Sequence, residues 1–185
     1  MSESKLRFNS DGTLATNMGL KRVVLYSTGL LVVLLLLIRF SVPPAVTSEY
    51  LGQQIEFQGR LISGQSFDLQ SHRGKVVVIN FWATYFPYCL EEMPLLKKIY
   101  AELKYDDFVV IGVSSDQPPQ LQSFLSVQPQ PWENIYGSDS VRLGSQYEVD
   151  TIPRTFLINR NGVLVSVGTG VETIQNEIYD LVRRG

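Results

Sequence analysis

In the stretch Val76-Val77-Val78-Ile79-Asn80-Phe81-Trp82-Ala83-Thr84-Tyr85-Phe86-Pro87-Tyr88-Cys89-Leu90-Glu91-Glu92-Met93-Pro94 one periodicity gives way to another. The first eight residues, introduced by Gly74-Lys75, are apolar and β-branched with little interruption, which suits a central strand buried on both faces. Beyond Thr84 the pattern becomes helical and runs to about Lys104, with Leu96, Ile99, Tyr100 and Leu103 at i, i+3, i+4 and i+7. Pro94 falls inside this helix and is expected to kink it.

On the C-terminal side, residues 108–114 read as a second buried strand and residues 121–127 as a short helix following Pro118-Pro119. A further helix is expected over 139–147, with Ser138 or Asp139 as its N-cap. Residues 155–158 form a third strand. Asn161-Gly162 turns the chain into a partner strand at 163–167. Residues 171–184 close the chain as a helix with Val171, Ile174, Ile178 and Leu181 on one face. On the N-terminal side 55–58 alternates as a strand, Ser63-Gly64-Gln65 is a turn, and Phe67-Asp68-Leu69 returns as its partner. Trp132 and Tyr136 read as packing residues. This order implies an α/β fold, a central mixed sheet flanked by helices on both faces.

The chain of 185 residues has room for one ordinary domain and a short extra segment. Its formal net charge of -2 hides an asymmetry. Before Val42 stand five basic and two acidic residues; the remainder carries eleven basic and sixteen acidic ones, a balance of -5. That sign argues against nucleic-acid binding. Residues 1–22 are polar, and 23–38 contain sixteen residues without a charge. Arg39 can snorkel, so the apolar span extends over 23–42 to roughly the 20 residues a transmembrane helix needs. Four basic residues precede it and only Arg39 adjoins its far end, which places the N-terminus in the cytoplasm and everything after Pro43 outside. The alternative is a cleaved signal peptide, against which stand the long leading segment and the absence of a clean cleavage site. Residues 43–54, opening with Pro43-Pro44, read as a linker, and 55–185 as the folded domain.

Three segments together resemble the membrane-anchored thioredoxin-like family of bacterial TlpA and ResA proteins, within the wider redoxin and thiol–disulfide interchange group. Residues 78–94 follow the family pattern N-F-W-A-T-W-C-P-P-C-x-x-E-x-P almost position for position. Val109-Val110-Ile111-Gly112-Val113-Ser114-Ser115-Asp116 matches the following strand. Ile152-Pro153-Arg154-Thr155-Phe156-Leu157-Ile158-Asn159-Arg160-Asn161-Gly162 matches the cis-proline segment and hairpin. The resemblance spans about residues 55–181. It implies a thioredoxin-like fold on the periplasmic side of a bacterial cytoplasmic membrane, crossed once. It also implies an active-site frame of Trp82, Tyr85, Pro87, Tyr88, Glu92 and Pro153. In that frame Pro153 is the cis-proline that presents backbone to a peptide, and Glu92 tunes thiol protonation.

The departure from the pattern matters more than the match. The family's first cysteine falls on Phe86, its second on Cys89, and Tyr88 replaces a proline between them. The first cysteine attacks because a helix N-terminus favours its thiolate. The second resolves the mixed disulfide. Phe86 has no nucleophile and Cys89 is the only cysteine, so no intrachain disulfide can form.

Two readings stand at each remaining position. Cys89 is either a buried packing residue beneath Phe86 or a lone thiol open to sulfenic acid or mixed-disulfide formation. Glu92 is a thiol-tuning group or a helix-surface carboxylate, and Glu91 is solvated. Trp82, Tyr85, Phe86 and Tyr88 are packing residues or an apolar docking patch for an exported protein or peptide near Phe86 and Pro153. His72, the sole histidine, reads as structural; neither a zinc set nor another cofactor is expected. Three functions follow: an accessory binding module without dithiol turnover, a one-cysteine redox enzyme acting through Cys89, or a structural support for a membrane assembly.

Overall fold

The computed structural model describes residues 49–184. The segment 23–42 read as membrane-spanning, the stretch 1–22 before it and residues 43–48 lie outside the described residues. Among those described, no helix is long and apolar enough to cross a membrane.

A five-stranded sheet organises the domain, with β3 (Val76–Trp82) at its centre. Parallel to it runs β4 (Phe108–Ser114), which pairs in turn with the short β5 (Glu133–Ile135). On its other side lies antiparallel β6 (Arg154–Ile158), followed by β7 (Leu164–Gly168). All seven residues of β3 are buried, as the unbroken apolar run requires. Successive side chains point to opposite faces. Val76, Val78 and Trp82 join one core with α1 (Pro87–Leu103) and the closing helix α4 (Gln175–Arg183). Val77, Ile79 and Phe81 join the other, with Phe57, Phe67, Leu143 and Tyr147. Two helices, α2 (Pro118–Val127) and α3 (Gly137–Gln146), complete the cover. The mixed sheet flanked by helices is therefore as expected, and α1 is continuous through Pro94.

Several local expectations are corrected. The first hairpin consists of β1 (Gln58–Arg60) and β2 (Ser66–Asp68), later than the alternation at 55–58 suggested. The reason is that the backbone at 54–55 pairs elsewhere, Gln54 bridging to Val163 and Ile55 N–H donating to the Gly162 carbonyl, while the Leu69 N–H to Phe57 carbonyl bond continues the hairpin by one pair only. Residues 50–54, assigned to the linker, belong to the fold. Gly52 N–H donates to the Leu164 carbonyl at 2.8 Å, and Tyr50 packs edge-on against Tyr147. Tyr136 rather than Ser138 or Asp139 is the N-cap of α3; Asp139 sits in its first turn and accepts the Arg60 N–H at 2.9 Å. The closing helix begins with a 3-10 turn at Val171–Ile174, and Val182 rather than Leu181 completes its buried face.

Candidate functional site

Where β3 ends, the chain turns over Ala83–Phe86 into α1. Phe86 is the N-cap residue, with extended φ −106° and ψ 107° and no side-chain acceptor to offer the helix. Pro87 follows at the first helical position, where its missing N–H leaves no bond unmade. Within the turn itself the bonds are main-chain ones: Cys89 N–H donates to the Phe86 carbonyl at 3.0 Å, and Phe86 N–H to that of Ala83 at 3.4 Å.

Cys89 is fully buried, in a cluster with Trp82, Met93 and Leu96 against which Phe86 packs. Burial pushes its thiol from 9.0 up to about 11; the Ala83 backbone opposes this, while the charges of Glu92 and Asp116 add to it. A thiol in this state is almost wholly protonated at neutral pH and a poor nucleophile.

Two polar networks flank it. On one side, the nearly inaccessible Asp116 accepts from Thr84 N–H at 2.8 Å, Thr84 Oγ1 at 2.6 Å and Ser114 Oγ at 2.7 Å. This ties the end of β4 to the loop that presents Tyr85 and Phe86. On the other side, Glu92 accepts from Asn80 Nδ2 at 2.7 Å and from Val171 N–H at 2.9 Å. Desolvation raises its pKa against the lowering effect of both hydrogen bonds. Glu92 thus joins α1, β3 and the 3-10 turn, so it is more than a surface carboxylate. Gly170 lets these parts meet, because a Cβ there would lie 2.8 Å from Glu92 Oε2, at a backbone φ of +147°.

The expected aromatic cluster divides in two. Trp82 is fully buried and donates its Nε1–H to Asn134 Oδ1 at 3.0 Å. That bond passes over Gly112, where a Cβ would fall 1.8 Å from the same oxygen. Tyr85 and Tyr88 are instead 62% and 66% exposed, with the Phe86 ring 5.7 Å from that of Tyr88. Tyr85 also reaches Ser115, hydroxyl to hydroxyl at 3.1 Å. Trp132 packs edge-on against Tyr100, and His72 lies against Phe67 with its Nδ1 near Ser71 Oγ and the Asp68 carbonyl.

Pro153 follows a cis peptide bond, in line with the motif match. Together with Tyr88 and Glu92 it borders a cleft of about 400 Å³. Sequence reasoning brought Phe86, Cys89, Glu92 and Pro153 to this place but missed Asn80, Thr84, Asp116, Asn134 and Gly170. One signal was available for Asp116. It lies two residues beyond the C-terminal end of a parallel strand, where α/β sheets place their functional groups.

Comparison with known proteins agrees with this geometry. The Redoxin family model matches residues 51–182. The thiol-disulfide oxidoreductase ResA of Halalkalibacterium halodurans is 31% identical over 134 residues, 71% of this chain and 76% of that protein. ResA of Bacillus subtilis is 26% identical over 173 residues, covering 89% of this chain and 96% of that one. Among solved structures, the thioredoxin domain of a thiol-disulfide oxidoreductase from Bacteroides vulgatus superposes with a TM-score of 0.65 at 24% identity. It covers 71% of this chain and 97% of that one, which identifies the fold as thioredoxin-like.

Proposed function

Since the chain belongs to the Redoxin family, among thiol–disulfide oxidoreductases of the ResA-like type, we propose that it keeps that scaffold as a docking module and has no dithiol turnover of its own. The observation that carries this reading is Phe86 at the helix N-cap above a buried Cys89. Disulfide exchange requires one thiolate to attack a substrate sulfur and a second thiol to displace the product. The attacking position here is a phenyl ring.

What remains suits binding. Tyr85, Phe86 and Tyr88 offer an aromatic surface at the end of α1. Beside it, the Ile152 N–H and C=O enter no hydrogen bond among the described residues, leaving main chain free for an extended segment to pair with. The span 23–42 would hold the module at the outer face of a bacterial cytoplasmic membrane, with the partner an exported protein or peptide. The one-cysteine alternative is weaker, because Cys89 is neither accessible nor acidic.

The first test is insulin reduction by the full chain with dithiothreitol as electron source. No acceleration over dithiothreitol alone is expected, and turnover typical of an active thioredoxin would overturn the proposal. Crosslinking in cells should trap a partner that the triple variant Tyr85→Ser, Phe86→Ser, Tyr88→Ser loses. Protease added to intact spheroplasts should digest the domain; protection would refute the outward placement.

A further inference from the structure

The cleft beside Pro153 carries information about what docks there. It is lined mainly by apolar surface, Tyr88, Leu95 and Pro153 among it, and its polar groups include the carboxylates of Glu91, Glu92 and Glu172. No lysine or arginine lines it. The ion pairs among the described residues are Arg142 with Asp139 and Arg184 with Asp180, so none of the three glutamates has a cationic partner. Arg154, the residue after Pro153, is not part of the lining and gives its Nη2 to Thr151 Oγ1 at 2.9 Å. The two oxygens of Glu92 are met only by neutral donors, Asn80 Nδ2 and Val171 N–H.

We propose that this cleft receives a lysine or arginine side chain of an extended segment of a partner protein, whose backbone lies along Ile152–Pro153. The inference rests on the docking function proposed above and adds the partner's chemistry. The fit has three parts. The apolar wall and the Tyr88 ring cover the methylene stem of a long cationic side chain. Its charged end then meets Glu91 and Glu172 at the exposed rim, with Glu92 deeper in. Unpaired main chain at Ile152 sets the segment's direction, so the cation enters from one register. A neutral or acidic side chain gains the same wall but leaves the carboxylates uncompensated or opposed.

The experiment uses the full chain in detergent micelles and three fluorescein-labelled heptapeptides, end-capped and built of valine and threonine around a central lysine, glutamine or glutamate. Binding is followed by fluorescence anisotropy at low and physiological salt. The lysine peptide should bind about fivefold more tightly than the glutamine peptide, a preference that shrinks as salt rises, and the glutamate peptide should bind weakest. In the double variant Glu91→Gln, Glu172→Gln the lysine preference should vanish, because the rim charges that meet the cation are gone. Equal binding of all three peptides, or a lysine preference that survives the double variant, overturns the charge assignment and leaves the docking function standing. Failure of every peptide to bind overturns both. Self-association of the chain that the double variant abolishes would put a second copy in the cleft and likewise overturn the proposal.

Discussion

The parts of the molecule beneath and above Phe86 are built on opposite terms. Beneath it, Asp116 and Glu92 lock the end of β3, the first turns of α1 and the turn after β7 through short hydrogen bonds among buried and half-buried groups. Above it, Tyr85 and Tyr88 hold most of their surface in solvent, and the one hydrogen bond of this rim joins exposed hydroxyls. On the proposed reading, the difference accounts for how this scaffold holds a phenyl ring at the nucleophile position with its surroundings intact. No hydrogen bond of the lower network passes through the Phe86 side chain; to that network the residue contributes only backbone, its ring packing on the apolar cluster around Cys89. A scaffold survives loss of chemistry when its supporting contacts bypass the reacting atom.

The largest effect should come from returning a nucleophile to that position. In Phe86→Cys the new thiol lies at the N-terminus of α1, where the helix dipole favours its thiolate, one turn from Cys89. It should form a disulfide with Cys89 and give insulin reduction clearly above the dithiothreitol background, where the unaltered chain gives none, since attack and resolution are both restored. Mass spectrometry before and after reduction checks the disulfide. A folded variant that stays inert would show that the lower network no longer holds a working geometry.

Next in size is damage to that network. Asp116→Ala leaves Thr84 N–H and the Ser114 hydroxyl buried without acceptors and should cost about 3 kcal/mol in denaturant unfolding, with Asp116→Asn milder because one acceptor oxygen remains. A loss below about 1 kcal/mol would mean that water replaces the carboxylate. Close behind is the reactivity of Cys89. At any pH below 9, a pKa of about 11 in place of 9.0 lowers the thiolate fraction about a hundredfold. Iodoacetamide should therefore modify the folded chain at least that much more slowly than the urea-unfolded one, and its rate should climb with pH until about 11. Fast modification at pH 7 would revive the one-cysteine enzyme.

How much of this was legible in sequence follows from the same division. The centre of the sheet was readable because Val76 to Trp82 is buried on both faces and so keeps an unbroken apolar run. The short β5 was not, since Glu133-Asn134-Ile135 has two polar residues in three. Asn134 is buried there only because Trp82 and Gln130 satisfy its amide. Phe86 and Cys89 were found because they sit in a contiguous motif. Asp116 and Gly170 act through partners 32 and about 80 positions away, and Asn80, though in the same motif as Glu92, reaches it only once β3 and α1 are packed; pattern within a single segment does not carry that information. Trp82 was grouped with the exposed aromatics for the same reason: adjacency in sequence says nothing about which side of the strand's end a ring faces.

Glu92 gives a smaller effect, with a definite sign. Its folded pKa is raised, so the native state holds this proton more tightly than the unfolded chain does. The stability linked to it is fully present below the unfolded value near 4.5 and is lost as pH rises through the folded value. The difference in unfolding free energy between the unaltered chain and Glu92→Gln should therefore move in favour of the unaltered chain as pH falls from neutral, then level off below about 4.5. A difference independent of pH would place the carboxylate in contact with solvent.

The smallest expected effect on the fold is also the sharpest contrast with Asp116. Tyr85→Ser and Tyr88→Ser remove rings that are 62% and 66% exposed. Tyr85 forfeits only the surface bond to Ser115, and Tyr88 loses its contact with Phe86. Each should change unfolding free energy by no more than about 0.5 kcal/mol, the range of surface substitutions that touch no buried network. On the docking reading proposed above, rings at such exposure are open for a partner to cover. The same two variants should then weaken partner crosslinking although the fold is untouched. If instead they destabilise as much as Asp116→Ala, the aromatic rim is part of the supporting structure, and the separation of frame from surface at Phe86 fails.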